Sequence, residues 1–281
     1  KKVFWLGWGY DYYDCLLGKA FPAGLLFPAT AALARATPKR KPFAALRRAI
    51  RKGLQRPFLL PRPPDISALK RVDYFIPILD SEFILARRFN PWFTPEHICW
   101  NYGTVEDDLT ISGVCGGLPG ENILVGNSAT ETNNHYEAFE LIQRQLDISR
   151  RKVIVPLSYG STEYRDKVLD FGPQLLGDAF TPLIDYMSKD AYIETLTSCG
   201  FVVMNHVRQQ ALGNIIISAL LSAKIFLNRN NPLYDWLQAR GLVIGDVAAL
   251  DKQALEIGTR RANIAAVQEF WGRDAQRKKT K

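Results

Sequence analysis

From residue 120 onward, short apolar runs alternate with longer amphipathic segments. The apolar runs are predicted to be strands and occupy residues 123–126, 152–157, 201–205, 225–228 and 242–245. Helices are predicted to begin near Asn133, Ser161, Ser188, Asn214, Pro232 and Leu250, the last of them extending to about Gly272. Strands that are covered by helices on both faces are continuously apolar, as in "VIVPL" and "FVVM". This alternation of strands and helices predicts a parallel sheet flanked by helices.

The first 118 residues show a second and looser α/β pattern. Its strand-like segments are "VFWLGWG", "RVDYFIPIL" and "ICWNYGT". Residues 113–122 are rich in Gly and Pro and are predicted to form a linker. The sequence therefore predicts two α/β domains, 1–118 and 119–281, with a ligand held in the cleft between them.

The net charge of +8 comes from one segment of the chain. Between Cys15 and Pro64 there are eleven Lys and Arg residues and no Asp or Glu. Within this segment, the apolar residues of 43–54 recur at spacings of three and four, which predicts an amphipathic helix. Its basic face carries Arg47, Arg48, Arg51 and Lys52.

A basic amphipathic helix has two plausible roles. It can lie on an anionic membrane surface, or it can pack on its own domain with a solvated basic face. The sequence contains no helix-turn-helix, ribonucleoprotein or zinc-finger signature, so a nucleic-acid partner is not predicted.

The remaining composition excludes several other classes of protein. The four cysteines lie far apart and form no Cys-x-x-Cys pair, which favours neither a zinc site nor a disulfide framework and fits a reducing cytoplasm. The longest strongly apolar window, 211–223, is shorter than the roughly 20 residues that span a bilayer. Because Lys1 and Lys2 lead directly into a strand-like run, we expect that residues preceding the chain are missing.

Ligands of parallel sheets bind beyond the carboxyl ends of the strands, so the segments that follow strands are candidate sites. The strand at 123–126 is followed by "GNSATETNNH". A glycine between a strand and a helix is a common phosphate site. This segment nevertheless lacks the lysine of a P-loop and the Gly-x-Gly-x-x-Gly of a dinucleotide site.

A second candidate, "HVRQQALGN", follows the strand at 201–205. Arg208 beside a helix N-terminus can clamp a diphosphate, because the guanidinium and the free N–H groups both donate to it. The plain alternative makes Arg208 a surface residue and Gly213 an ordinary turn. Two such motifs on one sheet favour a nucleotide-diphosphate ligand.

A family resemblance rests on several ordered motifs. These are "ILVGNS", "NNH", "VIVPLSY", "GFVVMNHVRQQALG" and "FLNRNNPLYDW", with "WGYDYYD" upstream. Their order resembles the bacterial TDP-N-acetylfucosamine:lipid II N-acetylfucosaminyltransferases, which transfer 4-acetamido-4,6-dideoxy-D-galactose (Fuc4NAc) in enterobacterial common antigen synthesis. The resemblance covers most of residues 1–272 and is strongest after residue 121. It implies a GT-B glycosyltransferase fold, with two Rossmann-like domains and a cleft, and an N-terminal domain of which the first strands are absent.

The resemblance also implies roles for individual residues. The loop that faces the donor contains Gly126, Asn127, Ser128, Asn133, Asn134 and His135. The segment expected to hold the diphosphate contains Arg208, Gln209, Gln210, Gly213 and Asn214. Tyr159 is expected to stack on thymine. The acceptor side of the cleft is expected to carry Trp8, Gly9, Asp11 and Asp14. The helix after Asn214 lacks the glutamate that many GT-B enzymes use to hold the ribose, so ribose recognition is left unassigned.

Transfer of a sugar requires a group that stabilises the leaving diphosphate and a base for the acceptor hydroxyl. Arg208 is predicted to stabilise the leaving diphosphate. Asp11 is the first candidate for the base, Asp14 the second and His135 a competitor. Asp11 could instead cap a helix, and His135 could orient the loop that contains it. No Asp-x-Asp triad occurs, so neither a catalytic metal nor another cofactor is expected.

The predicted function is thus transfer of Fuc4NAc from a TDP donor to a polyprenyl-diphosphate-linked oligosaccharide. The predicted partners are the TDP-sugar, the lipid-linked acceptor and an anionic membrane surface, at the cytoplasmic face of the bacterial inner membrane. Two alternatives remain open: a GT-B glycosyltransferase that uses another nucleotide sugar, and a sugar-nucleotide-binding module without catalysis.

Overall fold

The computed structural model describes residues 1–35, 66–100, 103–109, 116–117 and 120–280. The predicted basic helix, with Arg47, Arg48, Arg51 and Lys52, lies outside the described residues, as does much of the predicted linker at 113–122. Within the described ranges, no helix combines the length and the apolar character needed to cross a bilayer.

The first part of the chain forms a small parallel sheet of three strands in the order β1-β2-β3. The strands are β1 (Phe4–Leu6), β2 (Tyr74–Ile76) and β3 (Glu96–His97). The helices of this part are α1 (Tyr10–Tyr12), α2 (Pro28–Arg35), α3 (Ile66–Leu69) and α4 (Asp80–Phe89). A π-helical turn, Tyr13–Leu17, follows α1 directly. Aromatic rings fill the core beside this sheet, where Trp5 and Phe75 pack with their centroids 5.0 Å apart.

The second part forms a parallel sheet of six strands in the order β6-β5-β4-β7-β8-β9. The strands are β4 (Asn122–Val125), β5 (Val153–Pro156), β6 (Phe180–Leu183), β7 (Cys199–Met204), β8 (Lys224–Leu227) and β9 (Gly245–Asp246). The helices are α5 (His135–Gln145), α6 (Thr162–Leu176), α7 (Lys189–Thr197), α8 (Leu212–Leu220), α9 (Pro232–Gln238), α10 (Ile257–Trp271) and α11 (Arg273–Thr280). The prediction of an α/β fold with parallel sheets is confirmed.

The large sheet is buried on both faces, as its continuous apolar strands predict. In β4, Leu124 packs into one core layer while Ile123 and Val125 pack into the other, because successive side chains of a strand point to opposite faces. Helix α8 contributes most to the first layer, and its residues 215–220 are all buried. The central strands β4 and β7 lie side by side, so the segments that follow them emerge at the same edge of the sheet.

Several predicted boundaries in this part are wrong. β6 was missed because it contains Pro182 and is only half-buried, as expected for an edge strand. The strand predicted at 242–245 lies instead at Gly245–Asp246 and shares only Gly245 with the prediction. The last long helix begins at Ile257 and not at Leu250. Helix α8 begins at Leu212, two residues before the predicted start at Asn214.

Two segments connect the sheets in a way that the sequence pattern did not show. The hydroxyl and backbone N–H of Thr30 in α2 both donate to the carboxylate of Glu137 in α5. At the other end of the chain, the guanidinium of Arg273 in α11 pairs with Asp107 at 2.6 Å. Residues from each part thus pack on the other, and the proposed division at residues 118 and 119 stays a prediction.

Candidate functional site

The two loops predicted to bind the donor meet at the carboxyl edge of the large sheet. The side-chain amide of Gln210 donates to Oδ1 of Asn127 at 2.7 Å, and its oxygen accepts from the hydroxyl of Thr132 at 2.7 Å. Gln210 follows β7 and Asn127 follows β4, which are neighbouring strands. The structure therefore brings the two motifs together as one surface.

The turn at 126–128 is shaped by side chains beneath it. Gly126 has φ of +65°, and a Cβ at this position would lie 2.9 Å from both Asn133 Oδ1 and His135 Nε2. Asn133 Oδ1 accepts from the backbone N–H of Asn127 at 3.2 Å, and its amide donates to the carbonyl of Ser128 at 2.9 Å. Only glycine fits here without strain, because the backbone is left-handed and the underlying atoms are close.

Three residues of the predicted donor loop lie beneath its surface. Ser128, Asn133 and Asn134 are almost completely buried. The Asn134 side chain accepts from the N–H of Phe27 at 2.8 Å and donates to the carbonyls of Leu25 and Asn205. Short polar side chains that satisfy nearby backbone groups are not available to a ligand. In this structure the three side chains hold the loop, and their predicted role in donor binding stays a prediction.

His135, the competing candidate for the base, lies beneath the same loop. It is the first residue of α5, is fully buried, and lies with Nδ1 3.2 Å from the hydroxyl of Tyr164. Burial lowers the pKa of His135 to about 3, so the ring is neutral at physiological pH and a weak base. The alternative interpretation, in which His135 orients the loop, agrees with its position under Gly126.

A cavity of about 220 Å³ opens beside Asn127. Tyr159, which is 58% exposed, forms one wall, and its hydroxyl accepts from the Asn127 amide at 2.7 Å. On another wall, Asn214 donates to the hydroxyl of Tyr192 at 3.0 Å. Burial raises the pKa of Tyr192, which therefore stays a neutral hydrogen-bonding group. The cavity combines aromatic surface with a few directed polar groups, as small-molecule sites do.

Sequence reasoning missed several charged and aromatic residues of this cavity. They follow or lie shortly after β6, the strand that was not predicted: Asp185, Tyr186, Lys189 and Tyr192. The available signal was the apolar run 180–183 followed by "DYMSKDAY", which places polar and aromatic groups after a strand.

The loop between β7 and α8 carries the predicted diphosphate clamp. Arg208 is half-buried, its Nη1 donates to the carbonyl of Gln209 at 2.9 Å, and its guanidinium lies 5.9 Å from the Tyr13 ring centroid. Burial lowers the pKa of Arg208, but an arginine remains charged at physiological pH. Gly213 lies in the first turn of α8, and a Cβ there would meet no atom within 4 Å. The first turn of α8 is therefore open at Gly213, and its free N–H groups can bind an anion.

The loop of Trp8 and Gly9, whose acceptor-side role stays a prediction, faces the Arg208 loop. Gly9 has φ of +91°, and a Cβ there would lie 2.5 Å from Oε1 of Gln209. Trp8 is 53% exposed, and Asp14 is exposed and near enough to Arg208 to favour its charged form.

Asp11 holds this loop through both carboxylate oxygens. Oδ2 accepts from Trp5 Nε1 at 3.0 Å and Oδ1 from the N–H of Trp8 at 2.8 Å. The helix N-cap position is Gly9, so Asp11 does not cap α1 as the alternative suggested. Each carboxylate oxygen keeps a further lone pair, so Asp11 as a base stays a prediction.

Glu82 is a buried carboxylate that sequence reasoning missed. It lies in the first turn of α4 and accepts from the hydroxyls of Tyr12 and Tyr13 at 2.5 and 2.7 Å. Burial raises the pKa of Glu82 to about 7, while the three groups that donate to it act in the opposite sense. Nothing in "DSEFILARRF" distinguishes this glutamate from a solvated helix residue.

A second and more apolar cavity of about 120 Å³ lies between the two sheets. Leu6 and Ile76, from the ends of β1 and β2, face Gly213 and Ile216 of α8 across it. Gly213 lines this apolar cavity. The next residue, Asn214, lies on the side of α8 that faces Tyr192 and the cavity beside Asn127.

The arrangement of two parallel sheets is shared with solved glycosyltransferase structures. An E. coli structure described as trehalose-6-phosphate bound with UDP-2-fluoro glucose matches with a TM-score of 0.60 at 9% identity, over 76% of this chain and 60% of that one. Sucrose-phosphate synthase from Thermosynechococcus elongatus gives 0.57 at 12% identity, over 76% and 58%. Anabaena HepE with UDP and glucose gives 0.55 at 9% identity, over 75% and 63%. The fold is therefore of the GT-B glycosyltransferase type, and the chain spans about three fifths of the length of these proteins.

The sequence itself assigns the family. Residues 118–268 match the model of the 4-alpha-L-fucosyltransferase family, glycosyl transferase group 56. The match covers more than half of the chain, and the chain belongs to this family. It includes both loops that meet at Asn127 and Gln210, and it confirms the resemblance that the motifs indicated.

Proposed function

We propose that this protein transfers Fuc4NAc from a TDP donor to a polyprenyl-diphosphate-linked oligosaccharide. The observation that carries the proposal is the hydrogen bond between Gln210 and Asn127, which joins the two strand-end loops beside the N-terminus of α8. The family assignment supports glycosyl transfer, and the ordered motifs support the choice of donor. UDP-sugars in structures of the same fold support a nucleotide-sugar ligand.

In this proposal the donor occupies the cavity beside Asn127. The thymine stacks on Tyr159 in the wall of this cavity. The diphosphate is assigned to Arg208 and the first turn of α8, where a Cβ on Gly213 would meet no atom within 4 Å. Charge accumulates on the leaving diphosphate in the transition state, so a guanidinium and helix N–H groups aimed at it lower the barrier. No metal ion or other cofactor takes part.

The acceptor hydroxyl reaches the anomeric carbon from the side of the Trp8 loop. Its oxygen forms a bond to that carbon while the bond to the diphosphate oxygen breaks, and the diphosphate leaves with the electron pair. The hydroxyl proton passes to Asp11, or to Asp14 as the second candidate.

The lipid-linked acceptor requires the enzyme to work at a membrane. We place the protein at the cytoplasmic face of the inner membrane, with the basic segment of Arg47, Arg48, Arg51 and Lys52 against anionic headgroups. Each of these charges is expected to add roughly 1 kcal/mol of attraction. Replacing all four with alanine should weaken binding to anionic liposomes at low salt. Equal liposome binding by the variant and the wild type contradicts this placement.

The function is tested in two stages. Thermal stabilisation by TDP, UDP, GDP and NAD measures nucleotide preference, and a TDP preference is expected. Transfer is then measured with TDP-Fuc4NAc and a polyprenyl-diphosphate-linked acceptor, with and without EDTA, and equal rates in both are expected.

The outcomes separate the proposal from its alternatives. Preference for another nucleotide indicates a glycosyltransferase with a different donor. TDP binding without turnover indicates a binding module. Loss of transfer in EDTA shows that a metal takes part.

A further inference from the structure

The buried carboxylate of Glu82 lies at the centre of a hydrogen-bond network between the two sheets. It accepts from Tyr12 and Tyr13 and from the backbone N–H of Leu79, the last at 3.1 Å. Glu82 belongs to α4 of the small-sheet part, and its side chain is completely buried. A buried carboxylate is stable only when its oxygens are hydrogen-bonded, so each of these donors matters.

The direction of the hydrogen bonds in this network is fixed by two backbone donors. The hydroxyl of Tyr13 accepts from the N–H of Gln209 at 2.8 Å, and that of Tyr12 accepts from the N–H of Ile78 at 3.2 Å. A phenol has one proton. Because both phenol oxygens already accept from an amide, both protons are directed to Glu82, and each carboxylate oxygen accepts one of them.

Tyr13 thereby connects Glu82 to the loop that carries Arg208. Gln209 is the residue between Arg208 and Gln210, and its backbone N–H is fixed by the Tyr13 hydroxyl. The same Tyr13 ring lies beside the Arg208 guanidinium. Glu82 itself is among the charges that favour the charged form of Arg208.

We propose that Tyr13 and Glu82 are positioning residues that hold the 208–210 loop in the geometry required to bind the donor diphosphate. They act through Gln209 and Arg208 and do not touch the substrate. This inference rests on the proposed function, because it assigns the diphosphate to Arg208. It also makes donor binding depend on the contact between the π-helical turn Tyr13–Leu17, which follows the acceptor-side loop, and α4.

The test compares Tyr13→Phe with Tyr12→Phe. Each variant removes one hydroxyl that donates to Glu82, and each keeps its ring, but only Tyr13 contacts Gln209. Misplacement of a binding group by a fraction of an ångström is costly, so kcat/KM for the TDP donor is expected to fall roughly 10- to 100-fold in Tyr13→Phe. Measured above the pH range in which Glu82 takes up a proton, Tyr12→Phe should stay within about threefold of the wild type, since the hydrogen bond that it loses lies away from the loop and changes mainly stability.

Hydrogen exchange gives a readout that does not depend on turnover. The amide of Gln209 should exchange faster in Tyr13→Phe than in the wild type and Tyr12→Phe, because its acceptor has been removed. Binding of inorganic pyrophosphate should weaken in the same variant. Unchanged exchange of residues 206–211, or equal pyrophosphate binding by all three proteins, overturns the inference.

A pH profile separates positioning from general stability. The charged or titratable groups that face Glu82 are Tyr12, Tyr13 and Arg208. Protonation of Glu82 removes an acceptor from the network, so kcat/KM of the wild type should fall as pH decreases through about 7. This fall in kcat/KM should be absent in Glu82→Gln. If it persists in that variant, Glu82 is not the group that causes it.

The inference and the proposed function fail differently. If the wild type binds pyrophosphate without preferring TDP, the donor assignment fails while the comparison of Tyr13 with Tyr12 still decides the inference. If the wild type binds neither, both are overturned.

Discussion

Asn127 Oδ1 accepts a hydrogen bond of 2.7 Å from Gln210, and this bond joins loops that follow two neighbouring parallel strands. Asn127 also donates to the Tyr159 hydroxyl at 2.7 Å, so one asparagine connects the Arg208 loop to the cavity wall. The candidate donor site is therefore a single hydrogen-bonded surface.

Substitution of Gln210 with alanine tests this surface. Asn127 loses a donor and Thr132 loses its acceptor, so the two loops are no longer fixed to each other. The affinity for TDP, measured by calorimetry, is expected to fall roughly tenfold, equivalent to about 1.4 kcal/mol. The control is Gln143→Ala, at an exposed position of α5. Equal losses in both variants show that the effect is not specific to the site.

Tyr159 is expected to supply stacking and not only its hydroxyl. Tyr159→Phe keeps the ring and should bind TDP within a few-fold of the wild type, whereas Tyr159→Ala removes a stacking surface worth roughly 1–3 kcal/mol per base. Binding of pyrophosphate, which has no base, should be unchanged in both variants. Equal TDP affinities of the Phe and Ala variants contradict stacking at this position.

The turn at Gly126 should not tolerate a side chain. Gly126→Ala places a Cβ at positive φ and 2.9 Å from two polar atoms, and should reduce the free energy of unfolding by roughly 1–3 kcal/mol. Gly24 also has positive φ but open space around its Cβ, so Gly24→Ala isolates the backbone term of about 1 kcal/mol. Urea unfolding of both variants measures the difference. Equal destabilisation shows that the atoms under Gly126 can move aside.

Two buried histidines should make the protein sensitive to acid. Burial lowers the pKa of both His135 and His206 to about 3, and His206 Nδ1 lies 2.7 Å from the amide nitrogen of Asn231. Because the folded-state pKa lies below the unfolded value near 6.5, each neutral ring stabilises the fold above that pH. This stability is lost as pH falls, by about 1.4 kcal/mol per pH unit for each ring.

Measurement of unfolding free energy between pH 6 and pH 4 tests this dependence. The slope should be shallower in His206→Gln than in the wild type by about 1.4 kcal/mol per pH unit. Identical slopes contradict a buried neutral His206. Glu82 changes the pH dependence of the unfolding free energy in the opposite direction. Because its pKa is raised to about 7 in the folded protein, the stability that it contributes decreases as pH rises toward that value.

Much of the fold could be predicted because strands buried on both faces leave an unbroken apolar pattern. β4, β5, β7 and β8 were located within two residues of their ends. β6 was not found, since an edge strand with Pro182 lacks that pattern, and the cavity residues after it were therefore missed.

The candidate site was predicted less completely, because polarity in sequence does not reveal burial. Ser128, Asn133 and Asn134 have the composition of a ligand-binding loop but are buried. Asn133 donates to the backbone of its own turn, and Asn134 donates to the backbone of Leu25 and Asn205. Glu82 has no local signal at all, since its partners Tyr12 and Tyr13 are about seventy positions away in the chain.

The central claim is that Arg208 and the α8 N-terminus hold the diphosphate of a TDP-sugar. It is tested most directly by the dissociation constant of TDP for the wild type, Arg208→Ala and the exposed control Arg144→Ala. Loss of a charge-assisted hydrogen bond of about 1.5–3 kcal/mol predicts roughly 10- to 150-fold weaker TDP binding by Arg208→Ala, whereas Arg144→Ala should bind TDP like the wild type. TDP binding by Arg208→Ala with the affinity of the wild type contradicts the account.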